Sequence, residues 1–193
     1  MSGAGTRLPV IGGARVPGVA PGFQRIAIIG IGAIGGSLAM AARQAWPRSL
    51  VIGVDTPGVI EAAMRLHAID VGSDDLMIAG DADLVVLAGG PDDNVRVLPY
   101  LPDAIAGEAI VLALGGGDAL AERARSLPVR LQVVVGLPSI AMPGSGLHAA
   151  SADLFHGRAW TISPVTAGRE AVERMHSLIR AIGGGPDKEA PSA

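Results

Sequence analysis

Residues 25–39 read Arg25-Ile26-Ala27-Ile28-Ile29-Gly30-Ile31-Gly32-Ala33-Ile34-Gly35-Gly36-Ser37-Leu38-Ala39. The first five are a strand-length run rich in isoleucine. The stretch after Gly32 is helix-compatible and extends to Ala45, with Leu38, Ala39 and Ala42 placed to face a sheet. Gly30, Gly32 and Gly35 therefore sit where a strand ends and a helix begins. That context turns a weak Gly-x-Gly-x-x-Gly spacing into a dinucleotide-binding fingerprint. Gly30 permits the tight turn, Gly32 lets a pyrophosphate approach the backbone, and Gly35 lets the helix pack on the strand. Ala33 and Ile34 lie between them, at the helix start, where free N–H groups and a partial positive charge favour phosphate. The competing account is a tight structural turn that holds no ligand.

Outward from this motif the chain alternates in kind. Apolar strand-length runs occur at Leu50–Val54, Leu84–Ala88, Ala109–Ala113 and Leu131–Val135. Helix-compatible stretches lie between them at Val59–His67, Asp93–Leu101 and Asp118–Leu127. A further strand is expected at Arg158–Ile162 and an amphipathic helix at Ala167–Ile182, with Val172, Met175, Leu178, Ile179 and Ile182 on one stripe. Strand and helix in repeated alternation mean right-handed βαβ units on a mostly parallel sheet. The expected fold class is α/β, a Rossmann-type doubly wound sheet in a single domain. That domain covers 25–182, after a flexible leader at 1–24 and before a disordered tail at 183–193.

The composition agrees. The chain has 193 residues, 49% of them hydrophobic and 17% charged, which excludes an intrinsically disordered chain. It holds only two Phe, two Trp and one Tyr, so Ala, Val, Ile and Leu must build the core. A net charge of −3 without a basic block argues against nucleic acid or an anionic membrane as partner. The absence of cysteine excludes disulfides and thiolate metal sites and fits a cytoplasmic location. No apolar run approaches the roughly 20 residues of a membrane helix, and no His/Asp/Glu spacing suggests a metal site. The leader has six Gly and three Pro, which interrupt any signal-peptide core.

Asp55 ends the second apolar run, 25 residues after Gly30. A carboxylate there accepts hydrogen bonds from the adenosine ribose and repels a 2′-phosphate. Thr56, Pro57 and Gly58 follow it with no Arg or Lys, which points to NAD rather than NADP. The alternative is an Asp that only caps the next helix. Ala88, Gly89 and Gly90 close the Leu84–Ala88 run at the edge where ligands lie in such sheets. Small residues there would let the nicotinamide ribose rest on the backbone, and a plain turn accounts for them equally well.

Several segments carry a family likeness: 25–39, the Gly53-Val54-Asp55 triplet, 81–101, and above all 135–164. In the last, Gly136, Pro138, Ser145, Gly146, Ala150, Asp153, Leu154, Phe155, Gly157, Trp160 and Pro164 match the pattern without a gap. From Arg25 to about Gly185 the chain resembles the nucleotide-binding domain of prephenate and arogenate dehydrogenases, the oxidoreductases of tyrosine biosynthesis. The resemblance implies NAD(P)-dependent oxidative decarboxylation of prephenate or arogenate, a small anionic substrate. It also implies a histidine before Pro138 that assists deprotonation of the ring hydroxyl. Here that position is Leu137, which can neither accept nor donate a proton. The family's Asp-x-Gly-Ser-x-Lys appears as Ala113-Leu114-Gly115-Gly116-Gly117-Asp118, so the serine position is Gly116 and the lysine position is Asp118. The usual glycine of the turn is Ala141, and a nearby glutamate position is Pro143. The family adds a helical domain that forms the dimer and binds the substrate carboxylates, and the 193 residues end about where it would begin.

His148 is the candidate replacement base, beside the commoner reading of a loop histidine with no role. Asp153 is a further candidate base, beside the commoner reading that it caps a short turn before Leu154 and Phe155. Arg96, Arg123, Arg125 and Arg130 either face an anionic substrate or are solvated surface residues. Ser139 lacks the Gly-x-Ser-x-Gly elbow of a serine hydrolase. Two functions follow: an NAD(P)-dependent oxidoreductase of this family, or a catalytically impaired dinucleotide-binding module acting as a sensor or partner. A separate chain supplying the helical domain is a third reading. The stripe on 167–182, left uncovered without that domain, would favour a homodimer.

Overall fold

The computed structural model describes residues 22–141 and 144–185. Most of the expected leader (1–21) and tail (186–193), and with them Pro143, lie outside the described residues. The elements run β1 (Arg25–Ile29), α1 (Ala33–Ala45), β2 (Leu50–Val54), α2 (Pro57–Arg65), β3 (Val71–Ser73), β4 (Leu84–Leu87), α3 (Pro91–Val97), α4 (Leu101–Ala104), β5 (Ala109–Ala113), α5 (Gly117–Ala124), β6 (Leu131–Pro138), β7 (Trp160–Pro164) and α6 (Arg169–Ala181). Short 3₁₀ turns lie at Leu76–Ala79, Leu98–Tyr100 and Leu147–Ala149.

One seven-stranded sheet has the order β3-β2-β1-β4-β5-β6-β7. All neighbours are parallel except β6 and β7, which run antiparallel, with Pro138 opposite Trp160 and Val134 opposite Pro164. The chain winds outward from β1 to β3 and then returns to β4 on the other side of β1. The switch point lies between β1 and β4, the place where such sheets open a crevice. This is the doubly wound Rossmann-type arrangement the alternation predicts.

Successive strand residues feed opposite layers. Ile26, Ile28, Leu84 and Val86 join Leu38, Met175, Leu178, Phe155 and Trp160 in one core. Ala27, Val85, Leu87 and Val111 join Leu98, Leu101, Leu120 and Val133 in the other. Strands covered on both faces explain their nearly continuous apolar sequence. Phe155 and Trp160, with ring centroids 5.3 Å apart, are the largest fully buried side chains.

The packed body begins before Arg25. Phe23 is buried, meets Trp46 edge-on at 6.1 Å, and lies 4.2 Å beneath the Arg174 guanidinium. Asp83 holds this entry to the sheet, accepting from the Gln24 and Arg25 N–H groups at 3.1 and 2.8 Å. At the other end, Gly185 N–H donates to the Arg158 carbonyl at 2.8 Å.

Some elements differ from expectation. The helix expected over Asp93–Leu101 is broken into α3, a 3₁₀ turn and α4. Pro99 and Pro102 lack the N–H groups a continuous helix needs. β3 is three residues long, too short to show a period, and is held by pairing with Ile52–Val54. β6 extends three residues past Val135, because β7 pairs with its end. The α6 stripe is not uncovered. Met175, Leu178, Ile179 and Ile182 are buried in the same core as the sheet, so the basis in the sequence for self-association through them is removed.

Candidate functional site

The fingerprint lies at the switch point. Gly30 N–H donates to the Val54 carbonyl at 3.0 Å, and Ala88 N–H donates to the Ile29 carbonyl at 2.8 Å. The ends of β1, β2 and β4 are thus laced together below the crevice. Gly30 has φ +92°, and a Cβ there would stand 2.7 Å from the Gly89 nitrogen. Both facts require glycine. A Cβ at Gly35 would collide with the Gly30 carbonyl oxygen, so this glycine lets α1 rest on the turn.

Gly32 differs from both. A Cβ at this position would meet nothing within 4 Å. No packing among the described residues demands a glycine here, so a methyl-sized space stays open in front of α1. Gly32 is the N-cap of α1, no side chain caps that helix, and its first turn has no acidic residue. Its leading N–H groups therefore keep their full attraction for an anion.

Asp55 is half-buried at the end of β2. Its Oδ2 accepts the Ile31 N–H at 2.7 Å and its Oδ1 accepts the Thr56 N–H at 2.7 Å. The carboxylate faces the fingerprint turn, and α2 is not capped by any side chain. The helix-cap alternative for Asp55 is therefore not what the structure contains. A cleft of about 430 Å³ opens beside it, lined by Gly30, Asp55, Thr56, Asp74, Gly89 and Asn94 among others, with no Lys or Arg among the described residues. A larger hollow of about 800 Å³ lies at the opposite rim, around Phe23, Trp46 and Arg48, and holds no part of the fingerprint.

Gly89 and Gly90 lie beside the turn, as expected from the sheet order. Asp93 stands over them, 3.1 Å from where a Gly89 Cβ would be, and is paired with Arg96. Asn94, only 2% exposed, donates from its side chain to the Leu114 carbonyl at 3.4 Å. It ties α3 to the segment after β5. Neither Asn94 nor Asp74 stands out in the sequence, since their places on the cleft wall depend on how distant segments meet. The one local hint at Asn94 is an amide in an otherwise acidic first turn.

The residues at the family's catalytic positions are separate from this cleft. Leu137, near the end of β6, is 48% exposed and carries no polar group. Gly116 has φ +120°, between Gly115 at +108° and Gly117 at +54°, and a Cβ there would stand 2.6 Å from the Leu120 side chain. This backbone is shaped for glycine. His148 is exposed in the 3₁₀ turn Leu147–Ala149, which rests on α1 and α2. β6 lies three strands from β1, roughly 14 Å across the sheet. Leu137 therefore stands well across the sheet from the fingerprint turn. Asp153 pairs with His156 at 3.0 Å on the surface. Arg130 donates to the Pro102 and Ile105 carbonyls and so serves the fold.

Comparison with known proteins agrees with this architecture. The family model described as "Prephenate dehydrogenase, nucleotide-binding domain" matches residues 38–185. A prephenate dehydrogenase of Bacillus subtilis (strain 168) is 30% identical over 162 residues, which is 80% of this chain and 43% of that protein. Among solved structures, prephenate dehydrogenase from Aquifex aeolicus in complex with hydroxyphenyl propionate and NAD+ superposes with a TM-score of 0.78 at 22% identity. That match covers 86% of this chain and 59% of the other. Synechocystis arogenate dehydrogenase superposes with a TM-score of 0.74 at 20% identity, covering 86% and 59%. The chain thus spans less than half the length of the Bacillus relative.

Proposed function

The chain belongs to the prephenate dehydrogenase nucleotide-binding domain family, and on that premise we propose that it binds NAD and serves the oxidative decarboxylation of prephenate or arogenate. The observation that carries the reading is the open space at Gly32 before the uncapped start of α1. Main-chain N–H groups of Ala33 and Ile34 receive the coenzyme diphosphate there. Asp55, held by its two backbone donors, keeps lone pairs for the adenosine ribose hydroxyls and repels a 2′-phosphate. With no Lys or Arg on the cleft wall among the described residues, NAD is preferred over NADP. Ala88, Gly89 and Gly90 leave room for the second ribose. When bound, NAD takes up the hydride that leaves the substrate ring. The substrate is a small carboxylate anion, and the site of action is the cytoplasm.

The experiment is calorimetric titration of the purified protein with NAD, NADH and NADPH, followed by absorbance assays with prephenate and arogenate. Micromolar binding of NADH, weaker binding of NADPH and production of NADH support the reading. No heat with either coenzyme at millimolar levels overturns it.

A second reading has its own observation. Leu137 and Gly116 stand where the family has a proton-transfer histidine and a serine, and the backbone at Gly116 is formed for glycine. A coenzyme-binding module with impaired or absent catalysis, acting as a sensor or partner, fits these positions. It predicts NADH binding with no turnover of either substrate. A homodimer, or a helical domain supplied by another chain, enters only through the family and is read by sedimentation and pull-down.

A further inference from the structure

Among the described residues, Ser37 and Asn94 are the buried polar side chains. Asn94 ties α3 to Leu114, as described above. Ser37 is fully buried one turn into α1. Its hydroxyl donates to the Ala33 carbonyl at 2.6 Å and accepts the Ser151 N–H at 2.9 Å, across 114 residues of sequence. Gly36 beside it makes the approach close: a Cβ there would stand 2.6 Å from Leu147 and 3.0 Å from Ala150. Segment 147–151 thus lies directly on the helix whose first N–H groups face the coenzyme cleft.

We propose that Ser37 is a positioning residue that couples segment 147–151 to the coenzyme seat, so that ordering of either one orders the other. The proposal rests on the reading of the cleft as an NAD site. The relay runs from Ser151 N–H to the Ser37 hydroxyl to the carbonyl of Ala33, the first residue of α1. Hydrogen bonds in such a series polarise one another. An anion at the helix start stiffens that first turn, and the segment fastened to it loses mobility with it. Coupling is reciprocal, so release of the segment weakens coenzyme binding. Without the Ser37 oxygen the Ser151 N–H has no acceptor, and the segment leaves its seat for water. Segment 147–151 carries His148, so the coupling extends from the coenzyme seat to that exposed histidine.

The test is hydrogen exchange of amides 145–155 with and without NADH, together with NADH titration, in the native protein, Ser37→Ala, Ser37→Thr and Ser151→Pro. Ser151→Pro removes the N–H of an exposed residue and spares the core. It also removes the hydroxyl that accepts the Asp153 N–H at 3.3 Å. Ser151→Ala, which loses that hydroxyl alone, is the control and is expected to behave as the native protein. Ala150 before it has φ −75° and ψ 143°, the extended form that precedes proline. In the native protein and Ser37→Thr, NADH is expected to slow exchange across the segment. In Ser37→Ala and Ser151→Pro that protection falls at least fivefold, and NADH affinity falls about threefold to tenfold. Should Ser37→Ala not fold, Ser151→Pro decides. Native affinity and native protection in these variants overturn the coupling while leaving the NAD reading intact. A native protein that binds no NADH overturns both, and this shows before any variant is compared.

Discussion

The Ile31 N–H donates to Asp55 Oδ2 at 2.7 Å, which joins the end of β2 to the turn after β1. The bond fixes the carboxylate before any ligand arrives. It also gives the fingerprint turn a charge-assisted hydrogen bond, the stronger kind. One residue therefore both holds the shape of the turn and lines the cleft. Asp55→Asn is expected to lower affinity for NADH about tenfold and to narrow the gap between NADH and NADPH. Its stability cost is about 1 kcal/mol. Fluorescence titration with both coenzymes and urea unfolding check the two effects.

Gly32 and Gly35 separate binding from folding. Gly32 has φ −82°, which alanine adopts freely, and open space around its missing Cβ. Gly32→Ala is expected to melt as the native protein does and to lose at least tenfold in NADH affinity, about 1.4 kcal/mol. Gly35→Ala forces a methyl group onto the Gly30 carbonyl oxygen and is expected to cost about 1–3 kcal/mol of stability. A Gly32→Ala protein with native affinity would remove the diphosphate from this position.

Leu137→His tests the family's proton acceptor. At 48% exposure the side chain has room for imidazole, and the melting temperature is expected to stay in place. A positioned general base contributes about 10²–10⁴ in rate, so prephenate turnover is expected to rise by about 10²-fold over the native chain. An unchanged rate would assign the deficit to the rest of the substrate pocket.

Gly116→Ser is the contrasting case. Its φ of +120° and the nearby Leu120 side chain oppose any Cβ. The substitution is expected to cost about 1–3 kcal/mol, read as a lower urea midpoint with an unchanged slope. A neutral result would show that the Gly115–Gly117 turn can re-form with a side chain in it.

Phe155→Ala probes the core under the 135–164 segment. Phe155 is fully buried against Trp160. Truncation of a buried phenylalanine costs about 3–5 kcal/mol, and the same loss is expected in urea unfolding.

Local patterns made much of this molecule legible. Apolar strand runs with glycine at their ends place β1, β2, β4 and β5 within a residue, because those strands are buried on both faces. The fingerprint and Asp55 are legible for a related reason, since the residue types follow from backbone geometry and charge. What escaped depends on distant partners. β3 exists through pairing with Ile52–Val54. The inward turn of the α6 stripe depends on where β7 returns the chain. Ser37 reads as one polar residue in an alanine-rich helix until Ser151 is brought to it.

The reversal of β7 decides on which rim the backbone emerges. β7 starts opposite Pro138, at the crevice end of β6, and runs down to lie opposite Val134. α6 then climbs back, and Gly183 and Gly185 bond to Gly157 and Arg158, just ahead of that starting point. Had this last strand run with its neighbours, the helix would have left the backbone at the far rim. Instead, a reporter attached at Gly185 would be tethered on the rim where β1 also ends, four strands away, roughly 19 Å across the sheet.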